Sequence, residues 1–201
     1  HLAIWPQANM GQALWRALRG SVALAALAAV SQGLSSKLEL RRGHAVTSRA
    51  KVDPLDSKGF IVDLSQCFDE DSLVTGVWYW ATAEGSCIQL IAVEPGEPGG
   101  PTTVFSRGYV LRALSHGDQY SVLGSTPFLV PAGCCLGWQF VDRGENACRV
   151  PFSEEEESPE VMLGGDVPLD VDSTQLQRGA RTYSITVATV PLTLGDQTEL
   201  Q

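Results

Sequence analysis

The sequence has little histidine, little charge and none of the motifs of the common enzyme classes. Charged residues make up 18% of the chain, and of its three histidines only His116 lies beyond residue 51. No nucleophile elbow, zinc-protease, phosphate-loop or dinucleotide-binding pattern is present. His116 stands near Asp118 in a turn-like Ser-His-Gly-Asp sequence, whereas a catalytic histidine requires a rigid support. The sequence therefore predicts a protein that is not an enzyme and needs no cofactor.

The spacing expected of a metal site is also missing. The cysteines lack the paired C-x-x-C arrangement of zinc sites. The acidic run at residues 154–157, with Asp166, Asp170 and Asp172 downstream, lacks the spacing of a calcium loop. We expect no metal, and we interpret the run as a solvated loop or a surface for electrostatic docking of a basic partner.

Charge divides the chain into two parts. The formal net charge is −9 overall, but residues 1–51 carry +6 and the remainder −15. An acidic body repels phosphate backbones, so we expect no nucleic-acid binding by that part of the chain. The basic N-terminal part retains the capacity to contact an anionic surface.

The N-terminal part has the composition of a targeting or anchoring segment. Residues 21–30 form an apolar run that follows Arg16 and Arg19, with small residues around Gly33. This is typical of a secretory signal, and the run is shorter than the roughly twenty residues of a membrane span. We predict a signal-like, transit or anchoring helical segment over 1–33, a basic linker over 34–51 and a β domain over 52–201. Residues 10–32 are the candidate contact with a membrane or a complex.

Beyond residue 52, short apolar runs alternate with turn residues, which indicates an all-β fold. An acidic segment at 153–177 is predicted to be an exposed excursion. The segment from Arg181 to Val190 alternates most regularly and should be a central strand that pairs with distant segments. The pattern predicts an antiparallel β-sandwich of about eight strands, near residues 59–64, 73–82, 86–94, 107–114, 118–124, 126–131, 135–141 and 181–190.

All five cysteines lie in the acidic body. An odd number allows two disulfides and one leftover thiol, and the pairing stays open. Adjacent cysteines rarely bridge each other, and strand alternation should direct one of the adjacent pair to the core and the other outward. An alternative is that several are small buried apolar residues. The disulfide candidates are Cys67, Cys87, Cys134, Cys135 and Cys148.

An aromatic cluster is the strongest candidate for a binding surface. On a strand, Trp78 and Trp80 share one face, while Val77 and Tyr79 share the other. One face is expected to fill the core, and the other could contact a sugar ring or a partner protein. The candidate contact residues are Trp78, Tyr79 and Trp80, with Trp138 second.

A series of short segments in the body carries a resemblance to a known module. These segments are Gly76-x-Trp78, residues 120–125, 130–133, 136–138 and 150–152, and the segment from Arg181 to Ile185. On them the body, over about residues 59–190, resembles a jelly-roll-like β-sandwich module of secreted and cell-surface eukaryotic proteins, although Cys134-Cys135 stands where that module usually has Gly-Asp. The resemblance implies a sandwich used for adhesion or matrix assembly, without catalytic residues.

Three functions are compatible with the sequence. The first is a non-enzymatic extracellular or lumenal β-sandwich that binds a glycan or protein, or serves structural assembly. It would be secreted, at the cell surface or in an organelle lumen, and it could form an oligomer or a larger assembly. The second is a viral capsid-type jelly roll with a basic N-terminal arm that faces nucleic acid or a neighbouring subunit. The third is an accessory subunit of a membrane complex, anchored by its N-terminal helix.

Overall fold

A computed structural model describes residues 39–53, 59–96, 101–123, 126–144, 146–164, 170–172 and 177–192. These residues form strands and connecting turns without a helix, and none of them belongs to a helix able to cross a membrane. The signal-like segment over 1–33 lies outside the described residues. The strands are β1 Leu40–Gly43, β2 Phe60–Cys67, β3 Ser72–Ala81, β4 Gly85–Glu94, β5 Pro101–Ala113, β6 Gly117–Val122, β7 Phe128–Val130, β8 Cys135–Phe140, β9 Phe152–Ser153, β10 Glu160–Gly164, β11 Asp170–Asp172, β12 Gln177–Ala180, β13 Thr182–Tyr183 and β14 Ile185–Pro191.

The strands form two main antiparallel sheets. Sheet 1 has the order β1-β14-β3-β6, and β7 pairs with the other end of β3. Sheet 2 has the order β11-β5-β4-β8-β2-β10-β12, and β9 pairs with β13 separately. The all-β, sandwich-like character predicted from the sequence is therefore confirmed.

The main core draws its side chains from both sheets. Val77 and Tyr79 of β3 and Val187 of β14 belong to the same buried cluster as Leu90 of β4 and Trp138 of β8. In β3 the alternation follows the prediction, because Val77 and Tyr79 are buried while Trp78 and Trp80 are partly exposed.

Sheet 2 is buried on both faces at its centre. Residues Phe60 and Val62 of β2, with Ile91 and Val93 of β4, belong to a second buried cluster. Their strand neighbours, such as Ile61 and Leu90, belong to the main core. Adjacent residues of a strand point to opposite faces, so these strands are apolar on both sides.

Each of the eight predicted strand regions overlaps an observed strand, but the sheets are larger than predicted. β1 lies inside residues 34–51, which were predicted to be a basic linker. The 153–177 segment, predicted to be an exposed excursion, instead contributes β10, which pairs with β2 and buries Val161 and Met162. The prediction failed there because the short apolar stretch is flanked by acidic and glycine-rich sequence.

Two disulfides hold the fold together. Cys67 bonds to Cys135, which joins β2 to β8, and Cys87 bonds to Cys148, which joins β4 to the segment before β9. Cys134 is in neither bridge and is buried. The expectation that one of the adjacent cysteines points outward was wrong, because Cys134 packs in the main core and Cys135 in the second cluster. The two bridges are compatible with an oxidising extracellular or lumenal environment.

Candidate functional site: an aromatic and cationic surface on sheet 1

The candidate surface lies on the outer face of sheet 1. Trp78 of β3 stands directly opposite Tyr120 of β6 in the antiparallel register. The two rings stack with centroids 4.3 Å apart and planes 16° apart. The guanidinium carbon of Arg41, on β1, lies 4.3 Å from the centroid of the Trp78 ring. Offset stacking and cation–π contacts of this kind favour a fixed ring position.

The sheet order explains how these three side chains meet. β1 and β6 lie on opposite sides of β3, so Arg41 and Tyr120 approach Trp78 from opposite directions. Both neighbours occupy space that a sugar ring would need for stacking on Trp78. Tyr120 itself is 53% exposed, and it therefore supplies more accessible aromatic surface than the tryptophan does.

Gly76 makes room for the Tyr120 ring. A Cβ atom at Gly76 would lie 3.0 Å from the Tyr120 hydroxyl oxygen and 3.1 Å from its Cε2. Gly76 pairs with Val122, one register step beyond the opposing pair of Trp78 and Tyr120 on the same face. The absence of a side chain thus lets the tyrosine lie flat across β3.

The surface continues along β3 and β6. Trp80 contacts His116 edge-to-face with ring centroids 5.7 Å apart. His116 is exposed in the turn between β5 and β6, and Asp118 stands opposite Trp80 in the register. Val122 at the end of β6 is 65% exposed. The face therefore combines apolar, aromatic and cationic groups, a composition suited to contact with another macromolecule.

Two of the predicted contact residues are inaccessible. Tyr79 and Trp138 both have 0% exposure. Trp138 packs edge-to-face on Tyr183, with ring centroids 5.1 Å apart, in the core between the sheets. Tyr79 was expected on the face opposite Trp78, and that face is the core. Of the four predicted residues, the structure brings only Trp78 and Trp80 to the surface.

A separate, largely buried polar cluster lies near β13. Arg181 Nη1 donates to Asp53 Oδ1 at 2.7 Å, and the Tyr183 hydroxyl donates to Asp53 Oδ2 at 3.1 Å. Burial raises the pKa of Asp53 despite the nearby Arg181, and burial together with Asp53 raises the pKa of Tyr183. Glu154 accepts a hydrogen bond from Lys51 at Oε2, and its Oε1 lies 3.4 Å from Arg181 Nε.

This cluster has a structural role. Asp53 and Arg181 are far apart in sequence, so their pairing attaches the segment after β1 to the segment that leads into β13. Arg49 reinforces the attachment by donating to the hydroxyls of Ser184 and Ser153, each at 2.8 Å. His44 in the same segment contacts Asp63 Oδ2 at 3.0 Å. These side chains are committed to contacts within the chain.

Comparisons with known proteins give no match, either to a family model, to a curated protein or to a solved structure. The geometry of the chain therefore carries the functional argument.

Sequence reasoning missed Tyr120 and Arg41. Tyr120 lies in a segment with polar residues on both sides, and only the register with β3 places it against Trp78. Arg41 belongs to a basic stretch that was predicted to be a linker. A detectable signal was the Gly76-x-Trp78 spacing, because a strand glycine often marks the close approach of another group.

Proposed function

We propose that this chain is a non-enzymatic building block of a larger protein assembly, with the jelly-roll architecture of viral capsid subunits. The nested order of strand pairing is the observation that carries the proposal. Eight of the fourteen described strands pair in this order: β1 with β14, β2 with β8, β3 with β6, and β4 with β5. The first strand thus pairs with the last and the second with the next to last, which supports a jelly roll.

The distribution of these strands over the two sheets supports the same connectivity. β1, β3, β6 and β14 lie in sheet 1, while β2, β4, β5 and β8 lie in sheet 2. The chain therefore crosses between the sheets after most strands, as it does in jelly rolls. Jelly rolls serve as capsid subunits and as lectins, so connectivity alone leaves both uses open.

The charge distribution favours the capsid-type use. The basic part of the chain leads into β1, which is the edge strand of sheet 1. Arg41, Arg49 and Lys51 are committed to contacts with the fold. Further basic residues lie upstream of β1 in the sequence. An arm that carries them could contact nucleic acid or a neighbouring subunit. Disulfides fit this use, because they also occur at virion surfaces.

The second candidate is an extracellular or lumenal module that binds a glycan or a protein. The exposed Tyr120 beside Trp80 favours it, because aromatic faces with polar neighbours bind such ligands. Tyr120, rather than the enclosed Trp78, would then provide the contact. The two candidates differ in what the isolated protein does without a ligand.

Assembly of the purified full chain tests the choice. Sedimentation velocity and electron microscopy at increasing protein concentration should show large particles of uniform size. Repeating the measurement at high salt should weaken any contact that depends on surface charge. A chain that stays monomeric at every concentration and salt level would contradict the capsid-type function, and specific retention of that monomer on immobilised glycans would support the second candidate.

A further inference from the structure

We propose that two copies of this chain pair through β6, antiparallel to each other about a two-fold axis at Tyr120, so that sheet 1 continues from one copy into the next. This inference rests on the assembly function proposed above and names one contact within that assembly. The β6 edge is defined as the side of Gly117–Val122 that faces away from β3.

The β6 edge offers backbone hydrogen-bonding groups. β6 lies at the end of sheet 1, and within the described part of the chain β3 is the only strand that pairs with it. The N–H of Leu123 donates to the carbonyl of Thr75 at 2.8 Å, which continues the register of these two strands. Alternate residues of an antiparallel strand bond to the same neighbour. Asp118, Tyr120 and Val122 therefore direct their N–H and C=O groups away from β3.

The β6 edge lacks the features that usually prevent strands of different chains from pairing. Such features are bulges, prolines and charged side chains, above all lysine. The register of β6 with β3 is uninterrupted, and β6 contains neither lysine nor proline. By contrast, β5 has several register shifts, and β1 at the other edge of sheet 1 has two arginines among its four residues. β6 is therefore the edge of sheet 1 that is suited to pairing.

The β6 edge is complementary to itself. With the two-fold axis at Tyr120, this residue lies opposite Tyr120 of the second copy, and Asp118 lies opposite Val122 on both sides of the axis. All three outward-facing residues then form hydrogen-bonded pairs. An axis at Gln119 or Ser121 would leave one of the three without a partner in β6. Gln119 Nε2 donates to the Asp118 carbonyl at 2.7 Å, but a carbonyl oxygen accepts a second hydrogen bond.

The side chains permit the two strands to approach. The Tyr120 ring stacks on Trp78, and its hydroxyl oxygen lies close to Gly76, so the ring extends over β3 and away from the β6 edge. Val122 is 65% exposed. In the paired strands it lies diagonally next to Tyr120 of the second copy on the same face, at a distance that an aromatic side chain can span. Pairing thus covers exposed apolar surface on both copies.

The charges of the two strands do not oppose this register. Asp118 is the one charged residue of β6. The two Asp118 residues are four positions apart along the paired strands, which is about 14 Å and exceeds the Debye length of about 8 Å at physiological ionic strength. Residues 52–201 carry a net −15, so the two bodies repel each other over a longer range. Added salt should therefore strengthen the contact, because it screens this repulsion.

Substitution of Val122 in the full-length chain tests this contact and its register. Val122→Asp places a carboxylate opposite Asp118 of the second copy, twice in each dimer, and should raise the dissociation constant of the dimer about tenfold. Val122→Lys places an ammonium group there and should lower the constant by a similar factor. Sedimentation velocity over a concentration series measures the constants, and near-ultraviolet circular dichroism checks that each variant is folded.

Two further variants serve as controls. The double change Asp118→Lys with Val122→Asp restores an opposite-charge pair and should dimerise at least as well as the unaltered chain. Val52→Asp makes the same change at another exposed valine, at 44% exposure, in the segment that Lys51 pairs with β9 outside sheet 1. It should leave the dissociation constant unchanged. Hydrogen exchange at the N–H groups of Tyr120 and Val122 should slow when the unaltered protein is concentrated, since pairing protects both groups.

The outcomes separate the two proposals. Association that is unaffected by either Val122 substitution would overturn the β6 contact and leave the assembly function standing. Equal weakening by the aspartate and the lysine would also overturn it, because the register requires opposite effects. Dimers of the unaltered chain that respond as expected but never form larger particles would support the contact and contradict the capsid-type function. A chain that stays monomeric at every concentration and salt level would overturn both.

Discussion

Trp78 and Tyr120 form a stacked pair across β3 and β6, and Arg41 lies against the same indole ring. The pair connects the edge strand β6 to the centre of sheet 1 by side chains as well as by the backbone ladder. Such aromatic pairs contribute about 0.5–1.5 kcal/mol beyond the burial of their surface.

Tyr120→Ala should lower the free energy of unfolding by about 1–2 kcal/mol, since it removes both the stacking and the covering of Gly76. Urea unfolding followed by tryptophan fluorescence measures this change. Tyr109→Ala is the control, because Tyr109 is also an exposed strand tyrosine, at 59%. An equal loss in both variants would contradict a specific role for the stacked pair.

Gly76→Ala should displace the Tyr120 ring. The new methyl group would lie 3.0 Å from the tyrosine hydroxyl, and the ring would move because it is the more flexible of the two. We expect a changed near-ultraviolet circular dichroism spectrum and a loss of up to about 1.5 kcal/mol.

Gly179→Ala is the matched control for Gly76→Ala. Gly179 also lies in a strand, but its added Cβ would meet nothing nearer than Leu163 Cδ1 at 3.9 Å. This change should be neutral or stabilise by up to about 1 kcal/mol, because alanine has less backbone freedom to lose on folding. An unchanged spectrum for both variants would show that Gly76 is not needed for the ring position.

Asp53→Asn should change how stability depends on pH. Burial raises the pKa of the Asp53 carboxyl above its usual 3.8, so the folded state binds this proton more tightly than the unfolded state does. The stabilising effect is present below pH 3.8 and is lost as the pH rises through the raised value. Between these limits, the unaltered protein should therefore lose stability with rising pH relative to the variant.

Unfolding free energies of the two proteins, measured at half-unit steps from pH 3 to pH 7, test this direction. A difference that stays constant with pH would mean that the Asp53 pKa is the same folded and unfolded. A difference of the opposite slope would mean that Arg181 lowers the Asp53 pKa more than burial raises it.

Each of the two disulfides should contribute strongly to the stability of the fold. They close loops of 68 and 61 residues, and each should stabilise the fold by about 4 kcal/mol in the chain-entropy treatment. Peptide mapping without reduction should recover Cys67 linked to Cys135 and Cys87 linked to Cys148. Replacing Cys87 and Cys148 by serine should lower the unfolding midpoint strongly, and any other pairing in the map would contradict the connectivity.

The alternation of apolar and polar residues was sufficient to predict the strands that have an apolar face. It could not predict which strands pair with each other. The alternating segment from Arg181 to Val190 was predicted as one central strand, and β14 indeed lies between β1 and β3. Its start is interrupted at Ser184, whose backbone N–H donates to the carbonyl of Pro151. β1 was missed because Leu-Arg-Arg-Gly has no apolar periodicity, and its strand conformation depends on backbone pairing with β14.

The candidate surface was predicted only in part for a related reason. Period-2 alternation places Trp78 and Trp80 together, yet it cannot reveal which face is the core or what lies opposite. Trp138 was predicted as a second contact residue, but its ring lies in the main core between the sheets. Contacts across strands depend on register, which distant segments determine.

The burial of sheet 2 on both faces makes the two sheets unequal in their tolerance of sequence change. In β2 and β4, residues on both faces contact apolar neighbours, as Ile61 and Val62 do. A polar substitution on either face of these strands would therefore bury a polar group. The outer face of sheet 1 has no such restriction at Val122, which is 65% exposed. Diversification of this protein under selection, or redesign of its surface, is therefore expected to concentrate on sheet 1.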